Sequence, residues 1–188
     1  MEILERLGMA SVDGLRVLEV GCGAGRLLRA FAQRGAVVTG VDVSPRMLEL
    51  AAQNCSDFRN SVSFLNGDGE TLKGLSAETF DVVYTWHVLQ HVPDENVVLR
   101  LIGEIHRVLK PGARVLLHIP ERSRRNLRWR AYRLLTRLGL AIDPTGPLSA
   151  IPMFGIPREK VIGRLGELGF ASLESQASGM STCYVVRK

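Results

Sequence analysis

Short β-branched runs alternate with stretches spaced for helices along this chain, and that alternation restricts the fold more than any other feature. Strands are expected over residues 15–20, 36–41, 62–65, 80–84, 113–119, 171–174 and 182–186. Between them the spacing predicts helices over 25–34, 95–109 and 158–168. A further helix follows Ser44, which can cap it, and Pro45, which suits its first turn. Within 95–109, Val98, Leu101, Ile102, Ile105 and Leu109 fall on one face, and Lys110-Pro111-Gly112 stops the helix before the next strand. Strands alternating with helices of about 10–15 residues imply βαβ units. Right-handed crossovers then lead to an α/β fold: a doubly wound, mostly parallel, seven-stranded sheet with helices on both faces. Sheets of this kind bind ligands at the carboxyl ends of their strands.

The chain has 188 residues, 46% hydrophobic and 23% charged, which suits one globular domain over 1–188. With 19 Gly and 8 Pro, collagen-like and low-complexity readings are excluded. Cys22, Cys55 and Cys183 stand at unrelated spacings, so neither a disulfide framework nor a zinc site is expected, and no metal is assigned. The first ten residues lack the basic and apolar regions of a signal peptide, and no run approaches the roughly 20 apolar residues of a membrane span. A reduced, cytoplasmic protein without a transmembrane segment is the expectation. Seven arginines fall between Arg122 and Arg137 without an acid among them. They exceed the whole net charge of +5, so the remainder of the chain is slightly acidic.

A glycine-rich loop joins the first strand to the first helix. Val17 to Gly25 reads Val-Leu-Glu-Val-Gly-Cys-Gly-Ala-Gly, with Gly21, Gly23 and Gly25 alternating. Glycines there allow a tight turn and close approach of a ligand to the backbone. A dinucleotide fingerprint requires a glycine at position 26, where Arg26 stands, and no Lys-Ser or Lys-Thr follows to make a triphosphate loop. Asp42 comes at the end of the next strand, 21 residues after Gly21. A carboxylate there can accept hydrogen bonds from both hydroxyls of a ribose.

These residues carry a resemblance to the class I S-adenosylmethionine-dependent methyltransferases. Residues 18–25 (LEVGCGAG) resemble the family's first motif, and 41–44 (VDVS) its second. Residues 66–70 (NGDGE) resemble the third-strand motif, 80–92 (FDVVYTWHVLQHV) the fourth, and 107–112 (RVLKPG) the turn before the fifth strand. The resemblance implies a Rossmann-like methyltransferase fold with S-adenosylmethionine as cofactor and S-adenosylhomocysteine as product. It also implies that Gly21, Cys22, Gly23 and Gly25 underlie the methionine moiety, with Glu19 reaching its ammonium. Asp42 would hold the ribose, and Val43 and Met47 would pack on the adenine. Asp68 would accept from the adenine amino group, and Gly69 would donate to its ring. Thr85 would contact the methionine end through its backbone, and Trp86 would lie against the sulfonium or an apolar substrate.

His87 stands just beyond the fourth strand, where the family's active site opens, and is the expected general base. His91 reads as a packing histidine. The chain lacks the Asn/Asp-Pro-Pro-aromatic motif of base-amine methylation, the Pro-Cys nucleophile of cytosine chemistry, and the clustered acids of metal-dependent catechol enzymes. Metal-independent transfer to a small-molecule O, N or C acceptor is the expected function. Residues 120–157 are expected to form a substrate lid, with Arg122, Arg125, Trp129 and Met153 as contacts. The arginines there suit an anionic or lipid-like acceptor, or RNA phosphates. An RNA-directed methyltransferase, a non-catalytic S-adenosylmethionine-binding module and an NAD-dependent oxidoreductase are the alternatives.

Overall fold

The computed structural model describes residues 2–121, 154–178 and 181–188. Its sheet contains β1 (Arg16–Val20), β2 (Val37–Asp42), β3 (Val62–Asn66), β4 (Phe80–Thr85), β5 (Leu109–Pro120), β6 (Ala171–Ser178) and β7 (Ser181–Arg187). The strand order is β3-β2-β1-β4-β5-β7-β6. The first five strands run parallel, and β7 lies antiparallel between β5 and β6. The helices are α1 (Glu2–Arg6), α2 (Arg26–Ala32), α3 (Pro45–Asn54), α4 (Glu95–Val108) and α5 (Arg158–Glu167). The chain order reverses between β1 and β4, which is where a doubly wound sheet opens its ligand crevice.

Alternation along the strands divides the core in two. Leu18, Val83, Val115 and Leu117 point to one face, where Val98, Leu101, Ile102 and Ile105 of α4 and Val161 and Leu165 of α5 cover them. Val17, Val38, Val82, Tyr84 and Leu116 point to the other, beneath Ile3 and Leu4 of α1 and Leu28 and Phe31 of α2. Caps fix where two helices begin. The Ser44 hydroxyl accepts from the Met47 N–H at 3.3 Å to open α3, and the Asp94 carboxylate accepts from the Asn96 N–H at 2.8 Å to open α4.

The seven expected strands and four expected helices all form, with shifted ends. Helix α4 stops at Val108, and β5 starts at Leu109, before Lys110-Pro111-Gly112 rather than after it. Leu109 pairs with Phe80, the register slips at the Pro-Gly pair, and pairing resumes at Val82 with Arg114. Gly112 adopts φ 78° and donates its N–H to the Lys188 carbonyl, so the kink is tied to the edge of β7. Helix α1 was not anticipated, because five residues are too short for a periodic signal; burial of Ile3 and Leu4 holds it in place.

Candidate functional site

The loop after β1 is bound to β2 by its own backbone. The Gly21 and Cys22 N–H groups donate to the Val41 carbonyl at 2.7 and 3.0 Å, and the Gly23 N–H donates to Asp42 Oδ2 at 2.8 Å. Three successive N–H groups are therefore engaged, and the loop does not present them to a pyrophosphate. Gly21 takes φ 79°, and a Cβ there would fall 2.3 Å from a Val88 methyl, so only glycine fits beneath that side chain. Asp42 Oδ1 accepts from the Ser44 N–H at 2.9 Å, which leaves further lone pairs of the carboxylate for a ligand.

Among the described residues, the buried side-chain atoms without a hydrogen-bond partner are Glu19 Oε2, the Tyr84 hydroxyl, Thr85 Oγ1 and His118 Nδ1. All four belong to the carboxyl-terminal ends of β1, β4 and β5. Glu19 and Tyr84 occupy paired positions of adjacent strands, and Tyr84 stacks on Phe31 at 5.0 Å. Glu19 is 3% exposed. Burial pushes its carboxyl up to about 8, against the opposing pull of the nearby Tyr84 hydroxyl. Burial likewise pushes the Cys22 thiol up to about 12, which makes it inert at neutral pH.

On the β2 side, Val43 is 59% exposed and Met47 41% exposed, so Met47 is not a core residue despite its helical spacing. A Cβ on Gly69 would lie 3.0 Å from Val43, which places the 66–70 loop against the same apolar edge. Asp68 shapes that loop. Its carboxylate accepts from the Glu70 and Thr71 N–H groups at 2.8 and 2.7 Å and from the Thr71 hydroxyl at 2.7 Å. Those donors hold it down to about 2, so it is ionised at neutral pH.

Three rings meet at the carboxyl ends of β4 and β5. His87 is exposed and has φ 58°, an uncommon backbone for a residue other than glycine. Its ring lies 4.5 Å from that of His118 and 5.2 Å from that of Trp86, and Trp86 and His118 are 4.8 Å apart. Arg6 of α1 places its guanidinium 5.6 Å from the Trp86 centroid. Sequence reasoning missed His118 and Arg6. The one signal for His118 is a polar residue at an inward position of an otherwise apolar strand. His91 is exposed and lies 3.1 Å from the Gln90 amide, which does not match a packing histidine.

Arg122, Arg125, Trp129 and Met153 lie outside the described residues, as does most of the expected lid. Both of its described flanks stand at the carboxyl end of the sheet. The Ile156 N–H donates to the Pro120 carbonyl at 3.0 Å, and the Phe154 N–H to the Gln90 carbonyl at 2.7 Å. Among the described residues, no group of three or more His, Cys, Asp or Glu is placed to hold a metal ion. Nor is any described helix long and apolar enough to cross a membrane.

The strand order, the crevice between β1 and β4 and the glycine loop define a Rossmann-like ligand-binding α/β protein. Residues 18–117, more than half of the chain, match the family described as "Methyltransferase domain", and the chain belongs to that family. It is 39% identical over 119 residues to a ubiquinone biosynthesis O-methyltransferase of Pseudomonas fluorescens, covering 63% of this chain and 49% of that protein. The counterpart from Pseudomonas syringae pv. tomato is 39% identical over 114 residues, 61% of this chain and 48% of that one. The chain thus spans about half the length of these curated relatives. Among solved structures, an S-adenosylmethionine-dependent methyltransferase from Mesorhizobium loti aligns with a TM-score of 0.73 at 19% identity, over 100% of this chain and 96% of that one. Magnesium protoporphyrin IX methyltransferase from Synechocystis, solved with bound S-adenosylhomocysteine, aligns at 0.69 and 23%, over 100% of this chain and 78% of that one. At these identities the likeness speaks to the fold.

Proposed function

We propose that this chain binds S-adenosylmethionine and transfers its methyl group to a hydroxyl of a small-molecule acceptor. One observation carries the reading: the Gly21, Cys22 and Gly23 N–H groups are tied to β2, and the Glu19 and Asp42 carboxyl groups stand beside the loop. A site with its donors spent and two acids beside it favours a cation over a pyrophosphate. The name O-methyltransferase borne by the relatives supports oxygen as the acceptor atom.

When bound, S-adenosylmethionine supplies an electrophilic methyl on a sulfonium. Glu19 would hold the ammonium, which favours the ionised form of this buried acid. Gly21, Cys22, Gly23 and Gly25 supply the close backbone beneath the methionine. Asp42 would take the ribose hydroxyls, Val43 and Met47 the adenine face, and Asp68 with the Gly69 N–H the adenine edge. Thr85 and Trp86 would border the methionine end. Aligning acceptor oxygen, methyl carbon and sulfur is the main contribution, and such orientation supplies up to roughly 7–11 kcal/mol in favourable cases. His87 would take the acceptor proton. Residues 120–157 would close over the site as a lid within a single domain, 1–188, with Arg122, Arg125, Trp129 and Met153 meeting the acceptor. The arginines favour an acidic or lipid-like small molecule, and a cytoplasmic setting fits the unpaired cysteines among the described residues.

Calorimetric titration of the protein with S-adenosylhomocysteine, with NADH in parallel, tests this reading. Micromolar binding of the former alone is expected. Binding of NADH alone, or of neither by a folded sample, overturns it.

A further inference from the structure

The histidine cluster amounts to more than a lone base, and its role in catalysis rests on the proposed methyl transfer. His118 is 3% exposed at the carboxyl end of β5, and its Nδ1 has no partner among the described residues. Its ring meets that of His87 at 4.5 Å with an interplanar angle of 67°, while Trp86 lies against both. His87 is exposed and its backbone lies in the left-handed region, with its ring against the buried one. One ring of the pair is open to an acceptor and to water, and the other is closed off by α1 and β7.

We propose that His118 is the positioning partner of His87: packed behind the His87 ring, with Trp86 against both, it orients that ring toward the acceptor so that the two act as one base. In the transfer, a lone pair of the acceptor oxygen forms the bond to the methyl carbon. The carbon–sulfur bond breaks with its electrons staying on sulfur, and the hydroxyl proton passes to neutral His87. The charged and titratable groups around His118 support the assignment. His87 beyond β4, Arg6 and Glu2 on α1 and Cys183 on β7 surround it. Burial first, then the positive charge on His87 and that on Arg6, push His118 down to about 4, with Glu2 opposing.

Histidine-ring NMR titration of the full chain tests the pair without any acceptor. The informative variant is His87→Asn, since asparagine tolerates the left-handed backbone and the position is exposed. Two unit charges at the observed ring separation of 4.5 Å shift one another by about 0.7 pH unit even through water. The His118 midpoint is therefore expected to rise by at least that much in the variant. In the wild type, His118 is expected to stay uncharged down to mildly acid pH. A His118 midpoint unchanged in the variant overturns the proposal. The same samples are titrated with S-adenosylhomocysteine. Normal binding with uncoupled histidines removes the pair alone, whereas absent binding removes the methyltransferase reading and the catalytic role of the pair with it.

Discussion

Asp42 shows what a single side chain does at this site. Its two carboxylate oxygens accept from Gly23 on one side and Ser44 on the other, so it joins the glycine loop to the start of α3. Replacement by alanine removes both contacts as well as the proposed ribose acceptor. Asp42→Ala is expected to weaken S-adenosylhomocysteine binding by roughly 1–3 kcal/mol, read by calorimetry. Unchanged affinity would remove Asp42 from the site. Asp42 and the glycines were legible in the sequence because their chemistry depends on local spacing around one strand-to-helix turn. His118 and Arg6 were not. They meet Trp86 only through the alignment of β5 with β4 and the docking of α1, and no local spacing encodes either.

At the scale of elements, the start of α3 was legible because Ser44 can cap it, and α4 was legible from its apolar stripe alone. Ser44 before α3 and Asp94 before α4 both make the bond their positions require. Asp94 also sets where the chain leaves the 86–92 segment that carries Trp86 and His87. Asp94→Ala is expected to lower stability by about 1 kcal/mol, measured by urea unfolding. The start of β5 was misplaced because Pro111 and Gly112 signal a break in any context. Here tertiary pairing continues across them by shifting the register. Helical spacing suits Met47 equally to a core stripe and to an exposed apolar edge, and its exposure in the fold places it on the edge.

For the whole molecule, the buried acid makes stability depend on pH. Glu19 holds its proton up to about 8 in the fold, against 4.5 as its ordinary value. Between those values the unfolded chain binds fewer protons than the native one, so stability falls as pH rises. The contribution is complete below 4.5 and is lost as pH passes through 8. Relative to Glu19→Gln, the wild type is expected to lose roughly 3–5 kcal/mol between acid and alkaline conditions. Urea midpoints of both proteins at mildly acid and alkaline pH check this, and parallel pH profiles would remove Glu19 as the source. His118 acts in the opposite sense on the acid side, where its pKa of about 4 in the fold lies below its ordinary 6.5. There the unfolded chain takes up the proton first, so stability falls with falling pH.

The place of β7 in the sheet bears on how the chain reaches this fold during synthesis. Five parallel strands can assemble as they emerge from the ribosome, but among the described residues the far edge of β5 gains its partner only when residues 181–187 have been made. Strand β6 is made earlier, yet among the described residues it pairs only with β7 and must wait for it. A nascent chain therefore displays an apolar, unsatisfied strand edge through much of its translation, the kind of surface that chaperones cover and aggregates recruit.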